Sequence, residues 1–207
     1  MQPVIRQSAV WHKQQQLGGF WTDYHGWQVA AAFRSAEEEA AQASHGVGLA
    51  DLSWMAKFDL KGSGLKTMPP VPPAARCWTL GPLHLLLTCL PEMRDAVRQR
   101  ISALDSVYVT DMTSVFAQLL LVGPQSFQVL SKLTSLNVEG LPDLECLQGS
   151  VAHVRAIVQR ENIGQLPAFH LLVGCEYSEG VWDAIVHAGH EFHLSAFGLK
   201  AWELLRR

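Results

Sequence analysis

The chain has 207 residues, 48% of them hydrophobic, enough for one domain to bury a substantial core. A formal charge of −3 with scattered basic residues leaves no electrostatic footprint for nucleic acid or an acidic membrane. Cys77, Cys89, Cys146 and Cys175 show no paired spacing and read as buried or reduced thiols rather than a zinc site or a disulfide framework. With no signal-like start and no run of ~20 apolar residues, a cytoplasmic location is expected.

Residues 1–25 carry Trp11, Phe20, Trp21 and Tyr24 among glutamines and glycines, and read as a segment that wraps onto the domain without regular elements. Gly26 to Arg34 reads as loop. Ser35 with Glu38 three residues on predicts a capping box, the hydroxyl accepting from the Glu38 N–H while that carboxylate reaches back to the Ser35 N–H. Glu37, Glu38 and Glu39 then meet the positive end of the helix dipole, and the alanines extend the helix to His45 and Gly46. Gly46 and Gly48 are expected to supply left-handed conformations at the exit, and the alternation from Met55 to Leu60 predicts a strand.

Four prolines predict a loop at 67–77, and short strands follow at 78–80 and 84–90 around Gly81-Pro82. Pro91 opens a helix with Met93, Ala96, Val97, Ile101 and Leu104 on its buried face. Strands are expected from Val107 and over 115–122, then a helix after Gly123-Pro124 that buries Phe127, Leu130 and Leu133. An antiparallel pair is predicted at 150–158 and 168–174, and a helix from Glu179 capped by Ser178. A last helix begins at Ser195. Two successive sets of strand, helix and strand predict an α+β plait, with helices packed on a largely antiparallel sheet.

An ordered motif runs through the first half: Gly26, Trp27, Glu38, Glu39, Gly48, Leu49, Asp51, Ser53, Met55 and Gly62. It resembles the amino-terminal signature of the glycine-cleavage T-protein (aminomethyltransferase) superfamily, with Trp54 where that family commonly has His. Asp111, Thr113, Gly123, Pro124 and Leu130 extend the resemblance, as do Gly198, Leu199, Ala201, Leu205 and Arg206 at the carboxyl end. The resemblance implies a T-protein-like folate-binding fold of ferredoxin-like plaits over residues 26–207, without the family's further carboxyl-terminal domain.

It also implies where chemistry should sit. The family passes an aminomethyl group to tetrahydrofolate, and its catalytic aspartate lies between the strand ending at Gly62 and the strand of Leu85 to Leu87. Here Lys61 through Thr88 contains no acidic residue, so no catalytic residue is assigned. The family's pterin-gripping glutamate aligns with His170 and its tyrosine with Ile163. An imidazole offers one acceptor nitrogen where a carboxylate offers two oxygens. The family's arginine falls on Trp202, which stacks but carries no charge. Met55, Ile163, His170 and Trp202 are thus the expected positions of the cofactor pocket, with tetrahydrofolate the cofactor implied and no metal. In an active transferase with relocated acids, Glu161, Asp143 or Glu145 would substitute.

Trp78, Leu80, Gly81, Pro82, Leu86 and Leu87, behind the proline-rich loop, are similar to the gamma subunit of heterotetrameric sarcosine oxidase, a short T-protein-like chain without methyltransferase chemistry. That resemblance implies a degenerate domain that binds or assembles. Its partner would be a larger flavin- or folate-dependent oxidase or transferase subunit, or a second copy. His187, His190 and His193 read as helix-terminal histidines near the negative dipole end rather than as a zinc site. Cys89 and Cys175 read as small hydrophobes, and Asp51 and Asp111 as caps on local backbone N–H groups. Ser114, His84 and Asp111 lack the strand-to-helix elbow of a hydrolase.

Overall fold

The structure, a computed structural model, describes residues 5–67, 71–72 and 75–207. Part of the proline-rich loop expected at 67–77 and the first four residues of the wrapping segment lie outside the described residues.

The amino-terminal segment builds regular elements, against expectation. Strand β1 (Arg6–Gln7), helix α1 (Trp11–Gln16) and strand β2 (Phe20–Tyr24) lead into β3 (Trp27–Ala32), which pairs parallel with β1 and antiparallel with β2. The stretch read as loop is therefore largely strand. Val29 to Ala32 are all buried, so the strand shows no alternation in sequence.

Helix α2 (Ala36–His45) begins as its spacing predicts, with the Ser35 hydroxyl accepting from the Glu38 N–H at 3.2 Å. The carboxylate that folds back is Glu39's rather than Glu38's. Glu39 is wholly buried and accepts from the N–H groups of Phe33, Arg34 and Gly198, while Glu38 remains in solvent. The helix exit also differs, because Gly46 has φ −137° and neither it nor Gly48 is left-handed. Gly48 instead opens strand β4 (Gly48–Asp51), where a Cβ would lie 2.7 Å from Ala43 Cβ and 2.8 Å from the Phe197 ring. Packing, not φ, requires the glycine.

Strands β5 (Ala56–Lys61), β6 (Ala75–Gly81) and β7 (His84–Cys89) precede a 3₁₀ turn with Pro91 at its first position, helix α3 (Arg94–Ser102) and strand β8 (Tyr108–Asp111). The four strands form an antiparallel sheet in the order β6-β7-β5-β8. Val97 and Ile101 of α3 pack on Phe58, Leu60 and Leu87, whereas Ala96, expected inward, stays exposed.

Strand β9 (Phe116–Val122), helix α4 (Ser126–Ser131), strands β10 (Cys146–Val151), β11 (Val154–Arg160) and β12 (Ala168–Gly174), helix α5 (Ser178–Gly189), strand β13 (Ser195–Ala196) and helix α6 (Leu199–Leu205) complete the described elements. A six-stranded sheet runs β10-β11-β12-β9-β4-β13, antiparallel except for β13 against β4. Residues 150–158 are not one strand, because the chain turns at Ala152 and His153, both at positive φ and without the usual glycine or asparagine. Ser178 lies inside α5 and its hydroxyl donates to the Cys175 carbonyl, so Tyr177 holds the cap position without a side-chain bond. Ser195 starts a strand rather than the last helix. Helix α6 begins behind Gly198, whose Cβ would lie 2.5 Å from the Ala31 backbone.

Helices α4 and α5 cover one face of the six-stranded sheet, with Val129, Leu130, Trp182 and Ile185 on Leu119, Leu121, Phe169 and Leu171. On the opposite face α2, α6 and β3 gather around Leu120 and Val122. The four-stranded sheet lies beside them, joined through Trp78, Leu86, Ile157 and Leu172. The fold is α+β with helices on largely antiparallel sheet, distributed over three sheets rather than one.

Candidate functional site

Where the two larger sheets part beside α6 they leave a cleft of about 150 Å³. Strands β6 and β7 contribute Arg76 and Thr88, paired in register, with Met55 and Leu90 from the adjoining loops. Strand β12 contributes His170, and the chain leaving β11 contributes Glu161 to Gly164. Helix α6 adds Trp202, and Arg206 one turn later lies on the same face. Met55, Ile163, His170 and Trp202, the four positions singled out in the sequence, therefore line one cleft.

The sequence reading missed most of the cleft's charge. Arg76 Nε donates to Glu161 Oε1 at 2.9 Å, and Glu161 Oε2 lies 3.9 Å from His170 Nε2. Of the three acids weighed as substitutes, Glu161 alone reaches the cleft. Asp143 accepts from the Asn162 N–H at 2.8 Å, and Glu145 lies in solvent outside the lining. The Arg206 guanidinium sits 4.3 Å from the Trp202 ring centroid, and Trp202 meets Trp54 edge-on at 5.3 Å. Arg206 was legible as the residue one helical turn beyond Trp202. Arg76 was not, because only the register of β6 on β7 turns it inward.

His170 Nδ1 lies 3.0 Å from Gln118 Nε2. An amide nitrogen can only donate, so Nδ1 carries the lone pair and the ring proton sits on Nε2, toward Glu161. Burial, then the charges of Arg206 and Lys57, push the imidazole down to about 4. Glu161 would favour the charged ring, but its carboxylate is already engaged by Arg76, so the neutral form prevails.

A pH effect follows from this. The folded-state value lies below the ordinary 6.5, so the neutral ring stabilises the fold above pH 6.5, and that contribution is lost as pH falls through 4. Urea unfolding at pH 7 and pH 5 is expected to show about 2 kcal/mol more acid loss in the wild type than in His170→Gln. Equal losses would mean that the ring titrates normally.

Other constellations resolve as local structure. Asp51 accepts from the Ser53 N–H and hydroxyl, and Asp111 from the Thr113 N–H and Arg94. His84 bonds Asp59 at 2.5 Å rather than Asp111, so no hydrolytic triad is assembled. Burial raises the Cys89 thiol to about 11, where it is a poor nucleophile. His193 takes a left-handed conformation past the end of α5. Among the described residues no cluster of three His, Cys, Asp or Glu is placed to hold a metal, and no helix is long and apolar enough to cross a membrane.

The family profile of the GCVT N-terminal domain matches residues 78–207. The chain belongs to that family. It is 27% identical to the aminomethyltransferase of Streptomyces coelicolor across 98% of this chain and 62% of that protein. With the aminomethyltransferase of Streptomyces avermitilis it shares 25% identity across 97% and 62%. The chain thus spans about 62% of the length of these curated relatives. Among solved structures, aminomethyltransferase T of the glycine cleavage system from Bartonella henselae superposes with a TM-score of 0.80 at 14% identity, covering 98% of this chain and 62% of that one. A chain of heterotetrameric sarcosine oxidase from Corynebacterium sp. U-96 superposes with a TM-score of 0.63 at 18% identity, covering 90% of this chain and 96% of that one. At these identities the structural likeness is one of fold.

Proposed function

We propose that this chain is an aminomethyltransferase-like domain that has lost group transfer and serves as a binding or assembly module, on the pattern of a short subunit within a larger flavin- or folate-dependent enzyme. The observation that carries this reading is the pair of Arg76 and Glu161. Glu161 is the lone carboxylate lining the cleft among the described residues, and a guanidinium already holds it at 2.9 Å. With one oxygen already accepting from Arg76, the carboxylate is a poor two-point acceptor for a pterin edge. The neutral His170 beside it supplies neither charge. At about 150 Å³ the cleft has room for one benzene-sized ring. The sarcosine oxidase chain, which this one covers almost end to end, offers the precedent for a domain of this length inside a heterotetramer.

A second reading keeps tetrahydrofolate-dependent transfer, with Glu161 as the relocated acid. It is favoured by that residue's place in the cleft. Calorimetric titration with tetrahydrofolate separates the two, run beside the Streptomyces coelicolor aminomethyltransferase as a positive control. The module reading expects no saturable heat at concentrations that saturate the control. Saturable binding that His170→Ala or Trp202→Ala weakens would overturn it in favour of the transferase.

A further inference from the structure

The cleft carries more cationic charge than a remnant pterin site needs, and that charge is fixed in place. Two guanidiniums face it, those of Arg76 and Arg206, against the single carboxylate of Glu161. His170 is neutral, so the formal charge of the lining is +1 at neutral pH. The two arginines are held in different ways. Arg76 is anchored by its ion pair with Glu161, which consumes one positive charge and the one negative charge together. Arg206 is stacked on the Trp202 ring, and its guanidinium makes no ion pair among the described residues. A guanidinium over an aromatic ring keeps its N–H donors available to a carboxylate.

The rest of the lining is amphipathic. Met55, Leu90 and Ile163 form an apolar wall, with Trp202 beside it under Arg206. On the polar side, Thr88 Oγ1 accepts from Trp78 Nε1 at 2.9 Å, which leaves the hydroxyl proton free to donate. An apolar wall, one unspent cation and a spare hydroxyl donor in ~150 Å³ match a ring of benzene size that bears one negative charge.

We infer that the cleft binds a compact apolar monocarboxylate, its ring against Met55, Leu90 and Ile163 and its carboxylate on Arg206. This inference rests on the module reading, in which no pterin takes the cleft. Arg206 acts here as the specificity-determining residue, because without it the lining is electrically neutral.

The test uses the full chain, with benzoate as probe and benzamide as its neutral isostere. Tryptophan fluorescence and calorimetry are both suitable, since Trp202 lines the cleft. Benzoate is expected to bind saturably, at least ~10-fold more tightly than benzamide, with an affinity that falls as salt rises. Arg206→Gln should remove that preference, while Arg206→Lys should retain part of it. Arg206 is exposed at the end of α6, so neither change threatens the fold.

Equal affinity for benzoate and benzamide would overturn the inference, as would benzoate binding that Arg206→Gln leaves intact. Absence of benzoate binding together with absence of tetrahydrofolate binding would overturn this inference alone and leave the module reading standing. Tetrahydrofolate binding that benzoate does not displace would overturn both.

Discussion

Glu39→Ala is expected to cost about 5 kcal/mol of stability. The carboxylate has no solvent contact, and its two oxygens serve three backbone donors. Oε1 accepts from Phe33 at 2.5 Å and Arg34 at 2.6 Å, and Oε2 accepts from Gly198 at 2.8 Å. Truncation leaves all three N–H groups without a partner, at roughly 1–3 kcal/mol each. Glu39→Gln is expected to lose less, because its amide oxygen still serves two donors while its NH₂ faces the Gly198 N–H.

The loss reaches the cleft. The Gly198 N–H stands at the start of α6, the helix that carries Trp202 and Arg206, so releasing it frees the wall those residues form. Its neighbours provide the contrast. Glu37→Ala and Glu38→Ala, both in solvent in the same helical turn, should each cost no more than about 1 kcal/mol. Urea denaturation of the three variants checks this, and a Glu39→Ala loss no greater than that of its neighbours would refute the tie.

Lys57→Met is expected to change how stability depends on pH. Lys57 lies wholly buried on β5, where its Nζ donates to the carbonyls of Met55 at 2.8 Å and Ser53 at 3.0 Å and forms no ion pair among the described residues. Burial pushes the amine down from 10.5 to about 7, against the opposing attraction of Asp51 and, more weakly, Asp111. Between those values the unfolded chain binds a proton that the folded chain has released, so stability rises with pH across that window. Below pH 7 the full cost of the buried charge is present.

From pH 7 to pH 9 the wild type should therefore gain about 2–3 kcal/mol relative to Lys57→Met. The comparison with the variant matters because desolvation raises the thiols of Cys77, Cys89 and Cys146 to about 11, and they act in the opposite sense at higher pH; only Cys89 of the three is fully buried. Parallel stability curves for the two proteins across that interval would show that the amine titrates normally.

What the sequence by itself determined were features written within a few neighbouring residues. The Ser35 cap, the Pro91 helix start, the hairpin around Gly81-Pro82 and the bonds of Asp51 and Asp111 to residues two places on are all local, and all are present. The resemblance read from both halves of the chain likewise sufficed for the family, whose profile matches residues 78–207. Tertiary structure decided the rest, because those features depend on partners distant in the chain. Strand β3 is buried on both faces and so shows no alternation, and β13 exists only because β4 lies beside it. Glu39 looked like its two neighbours until Gly198, 159 residues away, came to meet it.

The cleft follows the same division. His170 and Trp202 were legible as the places where a family motif changes residue. The loss of charge read from those two changes was incomplete, because Arg76 enters through strand register and Glu161 is engaged by it across 85 residues of chain. One-dimensional spacing records which residue replaced another. Which charge then faces the cleft is a property of the packed sheets.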